Sequence, residues 1–383
     1  MPDKFHPIIE KILSFERTWC ETMHIYNPYN DPWSIKISKN VPDFDGPAFR
    51  KYRKHNFVYD KLWIAKSQGL KCGTLEYLIK HPSTNLEYPI FIKPRHGNKS
   101  ASSKNCFKIK HHDELQKYKD IPEMIWSEFI AETEGMTDYI IHNGNVVHQI
   151  TYIYSDTQHG TIADDWKFIS PHNKPPTVID TWVRANMAGY TGICNVQYRG
   201  DKIIEVGLRF ARGGAYIYST NNLLLIKSIN DLVNYNKWDY SIDRSEFDFT
   251  EFYSFKCYSE TPITYIFPQY LLDAYMKSNG CKEFYEYYFE PSGSGLSMVF
   301  YQFLHEDFDK GMKIKKNIER INTCTQLFFI FGFILALFIR FSVDKNIGNI
   351  MTLVIIILFL TKLLSPLSMH VNLWNAQKQA MTG

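Results

Sequence analysis

"KIIEVGLRFARGG", residues Lys202–Gly214, is the stretch on which the reading of this chain turns. Ile203, Ile204, Val206, Leu208 and Phe210 make it apolar and strand-forming. Alternation along a strand puts Glu205, Gly207 and Arg209 on one face and Val206, Leu208 and Phe210 on the other. The preceding "GICNVQYR" (192–199) reads as a second strand, with "GD" (200–201) as the turn of a hairpin. A two-residue loop, Gly200-Asp201, pairs Arg199 with Lys202 and sets Gln197 opposite Ile204. A three-residue loop, Gly200 to Lys202, pairs Arg199 with Ile203 and Gln197 with Glu205. One step of register flips the face, and the Ile203/Ile204 doublet admits either arrangement. Only the second gathers Asn195, Gln197, Glu205, Gly207 and Arg209 on one surface. An amide, a carboxylate and a guanidinium on one sheet face are costly unless satisfied. A divalent cation with a phosphate would satisfy them; so would a structural Glu–Arg pair on an exposed face.

Working outward, residues 56–226 alternate in character. "NFVYDKLWIAKSQGL" (56–70) reads as a helix ending near Gly69, "YPIFIKP" (88–94) as a strand stopped by Pro94, and "NCFKIK" (105–110) as another strand. "DELQKY" (113–118) is a short helix with Asp113 as N-cap, and "MIWSEFI" (124–130) a strand. "TDYIIH" and "VVHQITYIY" flank "NGN" (143–145), a strong hairpin signal. "PTVIDTWVRANMAGY" (176–190) is helical, with Pro176 in its first turn. The pattern is α+β with antiparallel sheets.

The order "DKLWIAKSQGLKCGTL", "YPIFIKPRHGNKSASSKNCFKI", "MIWSEFIAETEGMTDYI", "AGYTGICNVQYRGDKIIEVGLRFARGG" resembles the ATP-grasp superfamily, most nearly its carbamoyl-phosphate-synthetase and carboxylate–amine ligase branch. The resemblance covers about residues 56–226. It implies an ATP-grasp fold, two α+β lobes with antiparallel sheets gripping nucleotide, here about 56–126 and 127–226. It implies ATP and Mg²⁺ (or Mn²⁺) as cofactors, with small carboxylate and amine, or thiol, substrates joined through an acyl phosphate. Carried over by position, Lys61 and Lys93 would hold phosphates. The loop 95–105, with His96, Gly97 and Ser102, would cover them. Glu128, with the backbone of Phe129 and Ile130, would read the adenine edge, and Glu134 the ribose. Gln197 and Glu205 would ligate the metal, and Arg209 would stabilise the transferring phosphoryl group. Where that family carries a metal-binding asparagine, two residues past the glutamate, this chain has Gly207. On this reading Gly207→Asn should raise affinity for the metal–nucleotide complex. The departure also admits a nucleotide-binding protein without catalysis, and a structural membrane protein using the fold as a scaffold is the third reading.

The 383 residues allow two or three domains, and a hydrophobic content of 45% with 22% charged residues allows a packed core. Net charge is +3, with no basic stripe interleaved with aromatics, so nucleic acid is not an expected partner. Seven cysteines without CxxC spacing and an N-terminus without a signal-peptide core read as a reduced, cytosolic body. No HExxH, GxSxG or P-loop motif is present. Residues 1–55 form a lead segment and 227–305 an aromatic-rich accessory region. Residues 306–322 form a basic linker, with "KGMKIKKNIER" (310–320). Cys324–Phe341 and Ile347–Leu364 are apolar runs near the lower limit for crossing a bilayer, joined by "SVDKN" (342–346). They are expected to form a two-helix membrane anchor (323–366) contacting lipid, with a tail at 367–383. The basic flank puts the N-terminal body on the cytoplasmic side.

Overall fold

The computed structural model describes residues 37–42, 45–81, 86–96, 106–156, 165–259, 269–284, 288–289 and 298–357. The chain divides into two compact units. Residues 33–251 dominate one and 252–375 the other. The division falls inside the stretch read from sequence as an accessory region.

The first unit holds two antiparallel sheets. The smaller contains β1 (Cys72–Thr74), β2 (Ile90–Pro94), β3 (Phe107–Ile109) and β4 (Met124–Glu128) in the order β1-β4-β2-β3. Ile90, Ile92 and Ile109 turn inward with Leu75, Leu78, Leu115 and Met124 to make its own core. The larger contains β5 (Glu134–His142), β6 (Asn145–Tyr154), β7 (Trp166–Ser170), β8 (Gly192–Arg199) and β9 (Lys202–Gly207), in the order β7-β6-β5-β8-β9. β5 and β6 turn through Asn143-Gly144, both at positive φ (51° and 83°), as the Asn-Gly signal requires. This is the α+β architecture with antiparallel sheets expected from the sequence.

Helix α1 spans Asp45–Lys51, α2 Lys61–Ser67, α3 Leu75–Lys80, α4 Thr177–Asn186 and α5 Leu223–Tyr235. Helix α4 sets Ile179, Trp182 and Val183 in one core with Tyr139, Val196, Tyr198, Ile203 and Val206 of the larger sheet. Strict alternation would not place both Ile203 and Val206 in that core. A β-bulge does: Arg199 pairs Lys202 and Tyr198 pairs Ile203, then the register shifts, and Gln197 pairs Glu205 and Val196 pairs Val206. Ile204 is the extra residue. The two registers open in the sequence are thus both present, the first beside the turn and the second beyond the bulge.

Some local expectations are revised. The strand ends at Gly207, because the Leu208 amide turns away to donate to the Tyr59 hydroxyl (2.9 Å). Residues 56–59 are a 3₁₀ turn before α2. His111, not Asp113, precedes the short helix His112–Tyr118, and Pro176 is the N-cap of α4 and not part of its first turn.

In the second unit β10 (Phe252–Ser259), β11 (Lys282–Phe284), β12 (Tyr288–Phe289) and β13 (Met298–His305) are antiparallel, with β10, β11 and β12 all pairing β13. Helix α6 (Gln269–Ser278) is followed by Gly280 at φ 76°, a glycine stop. Helix α7 (Phe308–Ser342) has two halves. The first packs on β10, with Gly311 so close to Phe255 that a Cβ would lie 2.2 Å from the ring. The second exposes Leu327, Ile330, Phe331, Ile334, Leu335 and Phe338. Helix α7 is the one described helix long and apolar enough to cross a membrane, with a mean hydropathy of 2.0 over an 18-residue window. A shorter apolar helix, α8 (Lys345–Ile357), folds back against it: a Cβ on Gly348 would lie 2.3 Å from the Arg340 Cα, and one on Gly332 would lie 3.6 Å from Ile355 Cδ1. The rest of the second apolar run, from 358, lies outside the described residues.

Candidate functional site

Helix α2 is fastened at both ends, and this brings two lysines together. At its start Asp60 caps the Leu62 and Trp63 amides and pairs with Arg95 (2.9 and 2.5 Å). Burial would raise the Asp60 carboxyl, but Arg95 and the cap bonds outweigh it and hold it below the usual range. The Lys61 amide donates to the Arg95 carbonyl (3.0 Å), and Asp60 bridges to His96. At the other end Gln68 accepts from the Ile203 amide (2.6 Å) and donates to the Ile203 carbonyl (2.9 Å), gripping β9 beside its bulge. The first residue of α2 therefore meets the end of β2, and both face the bulged hairpin.

Lys61 and Lys93 are 5% and 9% exposed. Lys61 Nζ lies 3.1 Å from a Glu205 carboxylate oxygen. Lys93 Nζ donates to the Ile204 carbonyl (3.0 Å), the backbone group of the bulge residue. Burial, and then the adjacent Lys61 charge, pull the Lys93 ammonium down to about 8 from 10.5. Burial pushes the Glu205 carboxyl up, but Lys61, Lys93 and Arg209 outweigh it and leave it below the ordinary value. Arg209 stays charged despite burial because Asp45, at the start of α1, pairs with it at 2.9 Å. The same burial and the same Asp45 charge keep the Tyr59 phenol protonated.

Two rows cross the sheet face. Met136, Gln197 and Glu205 form one, and Asp138, Asn195 and Gly207 the next. The Gln197 amide nitrogen contacts the Met136 sulfur at 3.8 Å, which leaves its oxygen as the end available to a cation. Asp138, 1% exposed, accepts from Tyr152 (2.7 Å), Asn195 (2.7 Å) and the Ala211 amide (3.0 Å). Burial pushes its carboxyl up to about 6 against those three donors.

The structure thus brings Lys61, Lys93, Gln197, Glu205 and Arg209 to one face of one hairpin. Glu134 begins β5 and pairs with Arg199 (3.2 Å), its cross-strand neighbour. The Glu128 carboxylate accepts from the Lys71 amide (3.1 Å), and Phe129 lies under the Lys108 ammonium (3.9 Å) and beside Phe91. Ile130 is half-buried just past β4. His96 is half-buried at the bridge to Asp60, and Gly97 and Ser102 lie outside the described residues. Asp45, Tyr59, Asp60, Gln68 and Arg95 were not singled out in the sequence. Asp60 and Gln68 flank a readable helix, but nothing local marks Asp45.

Carboxylate and amide oxygens suit Mg²⁺. Among the described residues no three His, Cys, Asp or Glu side chains converge on one point, so a cation here would rest on a mixed set. Two features of the structure fit one. Asp45 Oδ1 is buried without a hydrogen-bond partner, a state costing about 1–3 kcal/mol unless a ligand meets it. A Cβ on Gly207 would lie 2.8 Å from that same oxygen.

No protein-family model matches the chain, and no curated protein does. Among solved structures it is similar to an L-amino acid ligase from Bacillus licheniformis, at 13% identity over 69% of this chain and 71% of that one, with a TM-score of 0.46. It is also similar to a carboxyaminoimidazole ribonucleotide synthase from Aspergillus clavatus complexed with ATP (9% identity, 73% and 80%, TM-score 0.48) and to a phosphoribosylamine–glycine ligase from Thermotoga maritima (10%, 72% and 82%, 0.46). These are likenesses of fold at low identity.

Proposed function

We propose that this chain is an ATP- and Mg²⁺-dependent ligase of the ATP-grasp type, coupling a small carboxylate to an amine or thiol, and held at a membrane by its C-terminal helices. The observation that carries the reading is the pair of buried lysines meeting over the bulged hairpin. Two ammonium groups in so little water repel each other, and a polyphosphate between them would relieve the repulsion. In this reading Lys61 and Lys93 hold the nucleotide phosphates, and Arg209 offsets charge on the phosphoryl group in transfer. Glu205 and Gln197 would hold the metal, which when bound supplies positive charge to the phosphate oxygens. A substrate carboxylate takes the γ-phosphoryl group to become an acyl phosphate, and the amine or thiol then displaces phosphate. Glu128, Phe129, Ile130 and Glu134 are assigned to the nucleoside by position, with the 95–105 loop over the phosphates.

The pairings of Lys61 with Glu205 and of Arg209 with Asp45 favour a second reading, a nucleotide-binding protein without turnover, because both cations already have protein partners. Melting of the full chain with ATP and Mg²⁺ tests the two together. A stabilising shift lost in Lys93→Ala and Glu205→Ala supports both, and no shift at millimolar ATP rejects both. ADP release that depends on added carboxylate and amine then separates enzyme from binder. For the anchor, α7 and α8 carry the argument. Release of the chain into the supernatant by high salt would reject it.

A further inference from the structure

The observations around Gly207 concern a residue outside the region of resemblance, Asp45. We infer that Asp45 supplies, from α1, the oxygen donor that β9 lacks at Gly207, so that the cation site is built from Gln197, Glu205 and Asp45. The inference rests on the nucleotide–metal reading above and deepens it.

Three observations converge. The first is position. A Cβ built on Gly207 would lie 2.8 Å from Asp45 Oδ1. An oxygen on a short side chain at 207 would itself stand about 2.4 Å from that Cβ by ordinary bond lengths. Asp45 therefore delivers an oxygen close to where the strand's own side chain would have put one. The second is the state of the carboxylate. Oδ2 is held by Arg209 at 2.9 Å, whereas Oδ1 is buried with no hydrogen-bond partner within 3.5 Å, the Tyr59 phenol being the nearby protein group that interacts with the carboxylate. One oxygen fixes the group and the other is presented. The third is the row structure of the sheet. Gly207 is the next residue after Glu205 on the same face, and Glu205 lies directly opposite Gln197. The presented oxygen thus joins the carboxylate and the amide already gathered there.

Gly207 then has a positive role. It clears the space through which a side chain from another element reaches the site. The exchange also replaces a neutral amide by a carboxylate, and greater ligand charge strengthens binding of a hard divalent cation. The expectation from sequence that Gly207→Asn should raise affinity reverses sign, because the new side chain would collide with Asp45. It should help only once Asp45 has been shortened.

The test is Mn²⁺ binding to the full chain in detergent, read by electron paramagnetic resonance with and without ADP, with circular dichroism confirming each variant's fold. Wild type should bind Mn²⁺ in a manner that Glu205→Gln abolishes. Asp45→Asn, which keeps an acceptor for Arg209, should weaken Mn²⁺ at least tenfold. Gly207→Ala, which leaves Asp45 in the chain but pushes its oxygen aside, should do the same. Asp45→Ala with Gly207→Asn should recover to within about threefold of wild type. Glu205-dependent Mn²⁺ binding that Asp45→Asn and Gly207→Ala leave intact would overturn the inference alone, and so would a double variant no better than Asp45→Ala. A wild type that binds neither ADP nor Mn²⁺ would overturn the nucleotide reading and the inference with it.

Discussion

Lys93 offers the sharpest quantitative test, because its environment fixes both a value and the direction of every change. Its ammonium is pulled from 10.5 down to about 8 by burial and by Lys61. Taken at about 1.36 kcal/mol per unit, this amounts to an order of 3 kcal/mol against the charged form. The native state binds fewer protons than the unfolded chain between about pH 8 and 10.5. Lys93 therefore costs its full amount below pH 8, and stability is regained as pH rises through that window. Competitive acylation of lysines at graded pH, read peptide by peptide, should show Lys93 titrating near 8. The neighbours set the signs of further shifts. Lys61→Met removes a repelling charge and should raise the Lys93 value, whereas Glu205→Gln removes an attracting one and should lower it. Bound ATP should raise it by a unit or more. Titration of Lys93 above 10 in the free protein, or shifts of the opposite sign in the two variants, would refute the reasoning. Lys93→Met at pH 7 also removes the charge penalty but strips the Ile204 carbonyl of its partner, worth about 1–3 kcal/mol. Its net effect on stability should be small while nucleotide binding is lost.

Three further outcomes are expected. Gln68→Ala breaks both bonds to Ile203 at once and should lower stability by about 1–3 kcal/mol in urea unfolding, with nucleotide affinity falling because α2 loses its hold on the hairpin. Asp138 is raised to about 6 from 3.8; the native state binds the extra proton between those values, so stability should fall as pH rises from about 4 to 6, and Asp138→Asn should flatten that slope in thermal melts. Gly311→Leu forces a side chain into the Phe255 ring and should destabilise the second unit by about 1–3 kcal/mol, seen as a lowered melting transition.

What could be read in the sequence was whatever a single segment carries. Apolar periodicity, the Asn-Gly turn and the Gly200-Asp201 turn marked β2 to β6, β8 and β9 but not the short β1 or β7, and the ordering of four short motifs singled out Lys61, Lys93, Glu205 and Arg209. The register of the second hairpin was open because alternation alone cannot reveal a bulge. The Ile203/Ile204 doublet was its only trace, and it resolves when Gln68, at the far end of α2, holds Ile203. Asp45 was beyond local reading altogether. An aspartate before Gly-Pro is an unremarkable helix start, and its meaning depends on Arg209, 164 residues away.

The bulge links fold to chemistry. An unbroken hairpin could point Ile203 into the core or Glu205 toward Gln197, but not both with a two-residue turn. Looping Ile204 out of register as a bulge allows both, and its carbonyl accepts from a side chain. That carbonyl receives Lys93, so the irregularity that turns the carboxylate to the site also anchors the lysine beside it. Removing Ile204 should leave a hairpin of regular register, with Ile203 still in the core and Lys93 without its anchor. Such a deletion would test whether the site and the fold are set by the same residue. A variant that folds but no longer binds nucleotide would show that they are separable, and that the bulge serves the site and not the core.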